Sequence, residues 1–538
     1  MKPVTELLRQ GKKQEIWNRY CGFLDLDMGE FKANQNDLLM DQIGSLAACQ
    51  FGKRILGKKV PGSVEEFREV VPLTTYADYT DFLLEKREDG LPEKPYVWLR
   101  TSGRSGEYKF KWIPYTKKMY DVCGEGGFAL WILSAARHKG DFALKEGDKG
   151  LYTVAPPPYM SGISLQVCYE LFDFELFPPP EEAVKMDFQE RIQEGIKSAL
   201  KEGIDFFYGI TTILMKISDQ LEEAGRSGKS KEMKELIKNP KVILRFLKAI
   251  LKAKLHRRNI YPKDLWKVKG LFCAGTDTSI YKEKVKKLWG KAPLEAYGST
   301  EFGSIAIQSW NTEGLIFLPK NSFYEFIPGK DYYTMKENPA FKPKVLTLSE
   351  VTANEEYVFV GTNFYGGVLT RYISGDLVKI ISTEEREAGI KLPQIVFSTR
   401  ADNVIDIGSF TRLTEKIIWQ AIEDSKIAYT EWTARKEYEA EKPVLKLYIE
   451  TKDTNNNIKE IEHRIHESLK LIDEPYRELE TMAGMKPLKV AVLSKGTFRR
   501  YYEERQAAGA DLGHLKPPHI NPQESVLKNL QRMSAWQL

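Results

Sequence analysis

Cysteine is scarce. The five in 538 residues, Cys21, Cys49, Cys123, Cys168 and Cys273, lie far apart with no C-x-x-C pair. That argues against a disulfide framework or a zinc knuckle and suits a reducing compartment. Histidine is equally thin, with six in the chain. Only His463 and His466 approach metal spacing; without a third ligand they read as the solvated face of a charged helix. An excess of one charge is also missing. Lys and Arg number 80 against 75 Asp and Glu, a net +5, which gives no case for a dedicated nucleic-acid binder. Long hydrophobic runs are absent as well. The longest uncharged stretch, Gly150 to Tyr169, carries Pro156, Pro157, Pro158 and Gly162, so it reads as buried strand and loop rather than a membrane span. The start, MKPVTELLRQGKKQEIW, is charged from its second residue and lacks the apolar core of a signal peptide. The expectation is a soluble cytoplasmic protein. No Walker A loop occurs, no G-x-S-x-G elbow surrounds Ser161 or Ser164, and no repeat of fixed period is visible.

What is present is core-forming material. Hydrophobic residues make up 42% and aromatics 12%, which excludes a disordered or low-complexity chain. Residues 1 to about 95 read as mostly helical. Strand-sized runs such as YVWLR, GLYTV, VKGLFCAGT and PLEAYGST then alternate with helical patterns, the signature of α/β units. Residues 181–258 read as helical. There Lys241, Arg245, Lys248 and Lys252 share one helix face and Ile243, Leu247, Ile250 and Leu251 another. Such a basic amphipathic helix suits either a solvated outer position or peripheral contact of 241–258 with an anionic membrane. Helical core is the reading for Phe206 to Ile210. The chain turns strand-rich from Tyr297 to about Phe397. After Arg400, strands such as VLKLYIE and LKVAVLS alternate with the charged helix KEIEHRIHESLKLI. The expected architecture is α/β: a large domain, 1–399, of sheets flanked by helices, and a small mobile α+β domain, 400–538.

Three segments carry chemistry. Thr101-Ser102-Gly103-Arg104-Ser105-Gly106-Glu107-Tyr108-Lys109 follows the strand YVWLR. Its small residues let backbone N–H groups approach an anion, and its hydroxyls and cations suit a polyphosphate. Tyr297-Gly298-Ser299-Thr300-Glu301 combines a ring able to stack on a base, hydroxyls for phosphate oxygens and a carboxylate for magnesium. Arg371-Tyr372-Ile373-Ser374-Gly375-Asp376 ends in an Asp able to accept from both hydroxyls of a ribose. Each alone fits a surface turn equally well.

In this order, with an Arg-x-Asp at Arg400 and Asp402, the segments resemble the adenylate-forming superfamily of acyl-CoA synthetases, luciferases and peptide-synthetase adenylation domains. Within it, TNFYGGVLTRYISGD, the long helical insertion and the ending KGTFRRYYEERQAAGADLGHLKPPHI are most similar to the auxin-responsive Gretchen Hagen acyl-acid amido synthetases and their microbial relatives. The resemblance implies ATP and magnesium as cofactors. A carboxylic acid is activated to an acyl-adenylate with release of pyrophosphate, and the acyl group passes to an amino acid amine. Coenzyme A is the alternative acceptor, and a non-catalytic nucleotide-binding or membrane-peripheral protein is the alternative class. The implied roles run along the chain. Thr101, Ser102, Gly103, Ser105 and Gly106 cradle pyrophosphate, with Arg104 and Lys109 as counter-charges. Gly275 and Thr276 of CAGTD lie near adenine with Tyr297, Gly298 and Ser299. Thr300 binds the α-phosphate, Glu301 holds magnesium, and Asp376 takes the ribose. Arg400 and Asp402 form a hinge, and Lys516 of the small domain is the catalytic lysine. Three departures stand out. Arg104 replaces a Thr, Ile373-Ser374 replaces an Arg neighbourhood, and His519 stands where Arg is usual. The last leaves Lys495 as a competitor for Lys516.

Overall fold

The computed structural model describes residues 2–57, 59–101, 110–227, 239–274, 278–338, 340–401, 404–408, 411–452, 457–507 and 519–535. The chain forms two compact units that part between Ala401 and Asp402.

Helices fill the first ninety residues of the large unit. The longest, Met28–Ala47, starts on a capping box in which Asp27 accepts from the Glu30 amide and Glu30 from the Asp27 amide. Such a box satisfies two of the N–H groups a helix start leaves open. Its two buried glutamines tie it to the sheet. Gln35 bonds the Pro319 and Ser322 carbonyls and the Tyr324 amide. Gln42 bonds the Gly367 carbonyl and the Gly366 amide.

A hairpin of β1 (Val97–Arg100) and β2 (Trp112–Tyr115) precedes the main sheet. That sheet has twelve strands: β3 (Asp148–Tyr152), β4 (Phe174–Phe177), β5 (Phe206–Ile210), β6 (Gly270–Ala274), β7 (Leu294–Ser299), β8 (Gly303–Gln308), β9 (Leu315–Phe317), β10 (Ser322–Pro328), β11 (Leu346–Thr347), β12 (Glu356–Asn363), β13 (Tyr372–Ser382) and β14 (Gln394–Arg400). Their spatial order is β11-β10-β12-β13-β14-β9-β8-β7-β6-β5-β3-β4. From β4 to β7 every pairing is parallel; from β7 to β11 every pairing is antiparallel. The seam is the β7–β8 hairpin.

The helix Lys117–Ala135 packs behind that seam and is buried along most of its length. Three glycines make the approach possible. A Cβ on Gly124 would stand 1.9 Å from Val167, one on Gly127 2.3 Å from Ser164, and one on Gly126 within 3.0 Å of Leu318 and Ser304.

Two sequence expectations in this unit change. Phe206 to Ile210 is strand β5, paired on both sides, and not helical core. A five-residue apolar run fits either element, and only its neighbours decide. The uncharged run Gly150 to Tyr169 ends as helix Met160–Leu171 rather than loop.

The small unit has a hairpin, β15 (Val404–Ile407) with β16 (Thr411–Thr414). It also has a three-stranded sheet: β17 (Tyr429–Glu439) antiparallel to β18 (Lys442–Thr451), and β18 parallel to β19 (Leu488–Leu493). Helices Glu415–Asp424 and Ile458–Ile472 cover this sheet, with Ile418, Trp432, Leu447, Ile465 and Leu469 in the core. His466 is a correction: it is buried, with its Nδ1 at 2.8 Å from the Tyr476 hydroxyl and Nε2 at 3.4 Å from Glu480, and does not lie on a solvated face.

Candidate active site

Two of the predicted segments, Tyr297–Glu301 and Arg371–Asp376, come together at the seam. Strands β6 and β7 are adjacent and parallel, with Ala274 opposite Ala296. Their carboxyl ends lead into Gly275 and Thr276 and into Thr300 and Glu301. Loops beyond parallel strand ends are where ligands bind in α/β sheets. Gly275 and Thr276 themselves lie outside the described residues, as do Ser102, Gly103, Arg104, Ser105, Gly106 and Lys109 of the phosphate loop, Asp402 of the hinge, and Lys516.

Thr101 is described, and it closes the base of the loop that the sequence predicts to hold phosphate. Its amide donates to the Lys111 carbonyl at 3.0 Å, and the Lys111 amide donates to its hydroxyl at 2.9 Å. The two ends of the loop are therefore pinned together one pair beyond the β1–β2 ladder.

The turn between β7 and β8 is held from behind. Tyr115 donates to the Thr300 carbonyl at 3.1 Å, and the Asn363 amide group donates to the Glu301 carbonyl at 2.9 Å. Burial raises the Tyr115 hydroxyl far above its ordinary pKa, so it stays a donor. Gly298 is exposed, while Ser299, Thr300 and Glu301 are half-buried. The turn is thus partly exposed on a backbone fixed by side chains beneath it.

Lys111 is the residue that sequence reasoning missed. Its ammonium is buried, donates to the Tyr372 hydroxyl at 2.6 Å and to Glu301 at 3.2 Å, and lies 5.3 Å from the ring centres of both Tyr76 and Tyr372. One lysine thereby joins the phosphate-loop strand, the β7–β8 turn and the start of β13. The available signal was its two-residue spacing from Lys109, which puts both on one face of an extended chain.

Asp376 and Tyr297 form a second cluster. Tyr297 is buried between Phe359 and Phe397 and donates to Asp376 at 2.7 Å. Burial first, and then the Asp376 charge, raise its pKa, which keeps the donor protonated. The other Asp376 oxygen accepts from Arg400 at 2.5 Å. Ser374 sets the local turn by donating to the Phe359 carbonyl and accepting from the Asp376 amide at 3.0 Å. Gly375 supplies the left-handed φ of 75° that the turn requires.

Below this, Arg371 is buried with Glu325 in a two-pronged pair at 2.9 Å and also donates to the Arg68 and Val71 carbonyls. The pair locks the beginning of β13 to β10 and to the end of helix Val64–Val70.

In the small unit Lys495 is exposed on the turn after β19. Glu450 accepts the Gly496 and Phe498 amides there, capping helix Thr497–Ala507. His519 stacks on Trp432 at 4.5 Å. Its ring nitrogens meet Glu415 at 2.7 Å and Glu431 at 2.8 Å. The chain near it runs alongside β17, with the Ala434 amide donating to the His519 carbonyl.

This combination of clusters matches a known family along most of the chain. The GH3 family N-terminal domain matches residues 22–155, its central domain 315–400 and its C-terminal domain 412–525. The chain belongs to the GH3 family. Among curated GH3 relatives it is 26% identical over 253 residues to jasmonoyl–L-amino acid synthetase JAR4 of Nicotiana attenuata, covering 44% of this chain and 41% of that protein. It is 27% identical over 274 residues to jasmonoyl–L-amino acid synthetase GH3.5 of Oryza sativa subsp. japonica, covering 47% and 45%. The matched region thus spans less than half the length of either relative. Among solved structures, AtGH3.15 acyl acid amido synthetase in complex with 2,4-DB superposes with a TM-score of 0.54 at 17% identity, covering 95% of both chains. A 2-hydroxyisobutyryl-CoA ligase in complex with 2-HIB-AMP and CoA gives 0.51 at 14% identity, covering 91% and 90%. This GH3 chain therefore has the α/β fold of the adenylate-forming enzymes.

Proposed function

We propose that this GH3 protein is an ATP-dependent ligase that activates a small carboxylic acid as its acyl-adenylate and transfers the acyl group to an amino acid amine. The observation that carries the reading is the Lys111–Glu301–Tyr372 cluster beside a half-buried Thr300, at the carboxyl end of a parallel strand. A carboxylate attacking the α-phosphorus brings two anions together, so catalysis rests on charge neutralisation and alignment. Lys111 stands where it can neutralise phosphate charge beside Thr300. Thr101, with residues 102–109, would take the pyrophosphate end, and Asp376 with Arg400 the ribose end. Lys516 is proposed to complete the α-phosphate site from the small unit, with Arg400 and Asp402 as the hinge between half-reactions.

Among the described residues no group of three His, Cys, Asp or Glu side chains could hold a metal by itself. A single carboxylate, Glu301, fits magnesium carried on the phosphates of ATP, since this ion is commonly held by one or two carboxylates plus substrate oxygens. Bound there, it would offset phosphate charge. Lys111 already donates to one Glu301 oxygen at 3.2 Å.

The names of the jasmonoyl–amino acid synthetases support the amine as acceptor. The CoA ligase of the same fold keeps coenzyme A as the second reading. Among the described residues no helix is long and apolar enough to cross a membrane, and a cytoplasmic location is part of the proposal.

The test is acid-dependent ATP–pyrophosphate exchange over aromatic, fatty and hydroxy acids, followed by amino acid- or coenzyme A-dependent product formation. Exchange with one acid class, then amide formation, is the expected result. Lys516→Ala should lower exchange about 10²- to 10³-fold and Lys495→Ala far less. Bound ATP with no exchange for any acid would overturn the reading, and thioester without amide would replace the acceptor.

A further inference from the structure

The helix Pro240–Leu255 inverts the usual arrangement. An amphipathic helix on a globular body ordinarily buries its large apolar side chains. This one docks through a narrow strip of Val242, Ala249 and Ala253. Arg245 fixes it by donating to the Ala199 and Leu200 carbonyls at the end of helix Phe188–Glu202. Its large residues point outward. Among the described residues sixteen large apolar side chains are strongly exposed, and six of them are on this helix: Ile243, Leu244, Leu247, Ile250, Leu251 and Leu255. Leu247 is 52% exposed, Leu244 55%, Leu251 67% and Leu255 79%. At 3.6 residues per turn the six fall within an arc of about 140°.

Cations border that arc. Residues 240–258 hold seven Lys and Arg and no Asp or Glu. Lys241, Lys248 and Lys252 run along one flank, where they line a groove of about 360 Å³ with Lys263 and Lys267 on its other wall. The nearby carboxylates are engaged: Asp264 pairs with Arg258 at 2.6 Å, and Glu202 lies 3.8 Å from both Lys241 and Lys149. The groove is therefore a site for anions beside an apolar ridge.

We propose that helix Pro240–Leu255 seats the protein on an anionic phospholipid surface, with the leucine ridge in the headgroup–acyl boundary and the flanking lysines on lipid phosphates. The two observations complement one surface. Lipid phosphate satisfies the cations, and acyl chains cover apolar side chains that water otherwise meets. At about 24 Å, and carrying lysines along its flank, the helix suits lying in the interface rather than spanning the bilayer. The ligase reaction does not require this contact, so the two proposals fail separately.

Co-sedimentation with phosphatidylcholine vesicles, with and without about 30 mol% phosphatidylglycerol, tests it. The expected result is binding to the anionic vesicles alone, lost at high salt. Lys248→Glu with Lys252→Glu should weaken partition at least about tenfold. Leu251→Asp with Leu255→Asp should abolish it while leaving Tm and pyrophosphate exchange in vesicle-free solution unchanged. No binding, equal binding to neutral vesicles, or full binding by the Leu251→Asp, Leu255→Asp variant would each overturn the proposal. So would sedimentation showing a solution dimer that this double variant dissociates, because the ridge would then be covered by a second copy.

Discussion

Two ion pairs flank the start of β13, and they differ in what surrounds them. Arg371 and Glu325 have side chains 5% and 1% exposed, and every strong contact they make is internal. Lys111 and Glu301 are 5% and 15% exposed. There the lysine is fixed by Tyr372, and the carboxylate is less deeply buried than Glu325. The first pair has no capacity left for a ligand. The second joins the β7–β8 turn, which is proposed to meet the phosphates. Burying a charge pair seldom adds net stability over apolar residues of similar size, yet breaking one is costly. The comparison separates a pair that holds the strand in place from a pair that the strand holds in place for chemistry.

The sharpest way to break it is to remove one partner from each. Arg371→Met should destabilise the large unit by up to about 3–5 kcal/mol, because Glu325 loses its two-pronged partner and keeps only Arg68, at 3.5 Å, as counter-ion. Adding Glu325→Leu should recover most of that loss. Urea unfolding reads both, and a double variant no more stable than the single would contradict the assignment. Lys111→Met should do the opposite. Its stability cost should be smaller, about 1–3 kcal/mol for the bonds to Tyr372 and Glu301, while pyrophosphate exchange falls about 10²- to 10³-fold. Equal losses of stability would erase the distinction between the pairs.

A smaller effect is expected at Asp376, the proposed ribose end. Asp376→Asn keeps an acceptor for Tyr297 but removes the charge facing Arg400. The KM for ATP should rise about tenfold with kcat nearly unchanged, as for an interaction made equally in ground and transition states. A fall in kcat at constant KM would place Asp376 in the chemical step instead.

The sequence made the ligand-facing half of this comparison legible and hid the supporting half. Tyr297 to Glu301 and Ser374 to Asp376 are contiguous runs of hydroxyls, glycine and carboxylate, so their chemistry shows in one dimension. Arg371 and Glu325 are 46 residues apart, and a buried Glu reads like any surface Glu until β10 and β13 are placed. Lys111 looked like ordinary alternation after the phosphate loop. The parallel strands were visible where short apolar runs ended in glycine, as in VKGLFCAGT. β5 was not, because FFYGI has no period of its own. The helix Pro240–Leu255 had a readable apolar face, but which way that face turned depended on the small residues opposite it and on the carbonyls that hold Arg245.

The small unit offers the mildest version of the same contrast, in a pair that titrates. His519 lies between Glu431 and Glu415, and the hydrogen bond its imidazole donates to Glu431 is foremost in raising its pKa, with burial opposing. A histidine whose folded pKa exceeds its unfolded value of about 6.5 stabilises fully below that value. The contribution is lost as pH rises through the folded pKa. The gap in Tm between the parent and His519→Gln should therefore be widest near pH 6 and narrow steadily toward about pH 9. The stacking on Trp432 and the carbonyl bond to Ala434 do not titrate, so a pH-independent remainder should persist. A gap that widens with pH would mean that His519 is held neutral, and the two carboxylates would then be anchoring something other than an imidazolium three residues beyond Lys516.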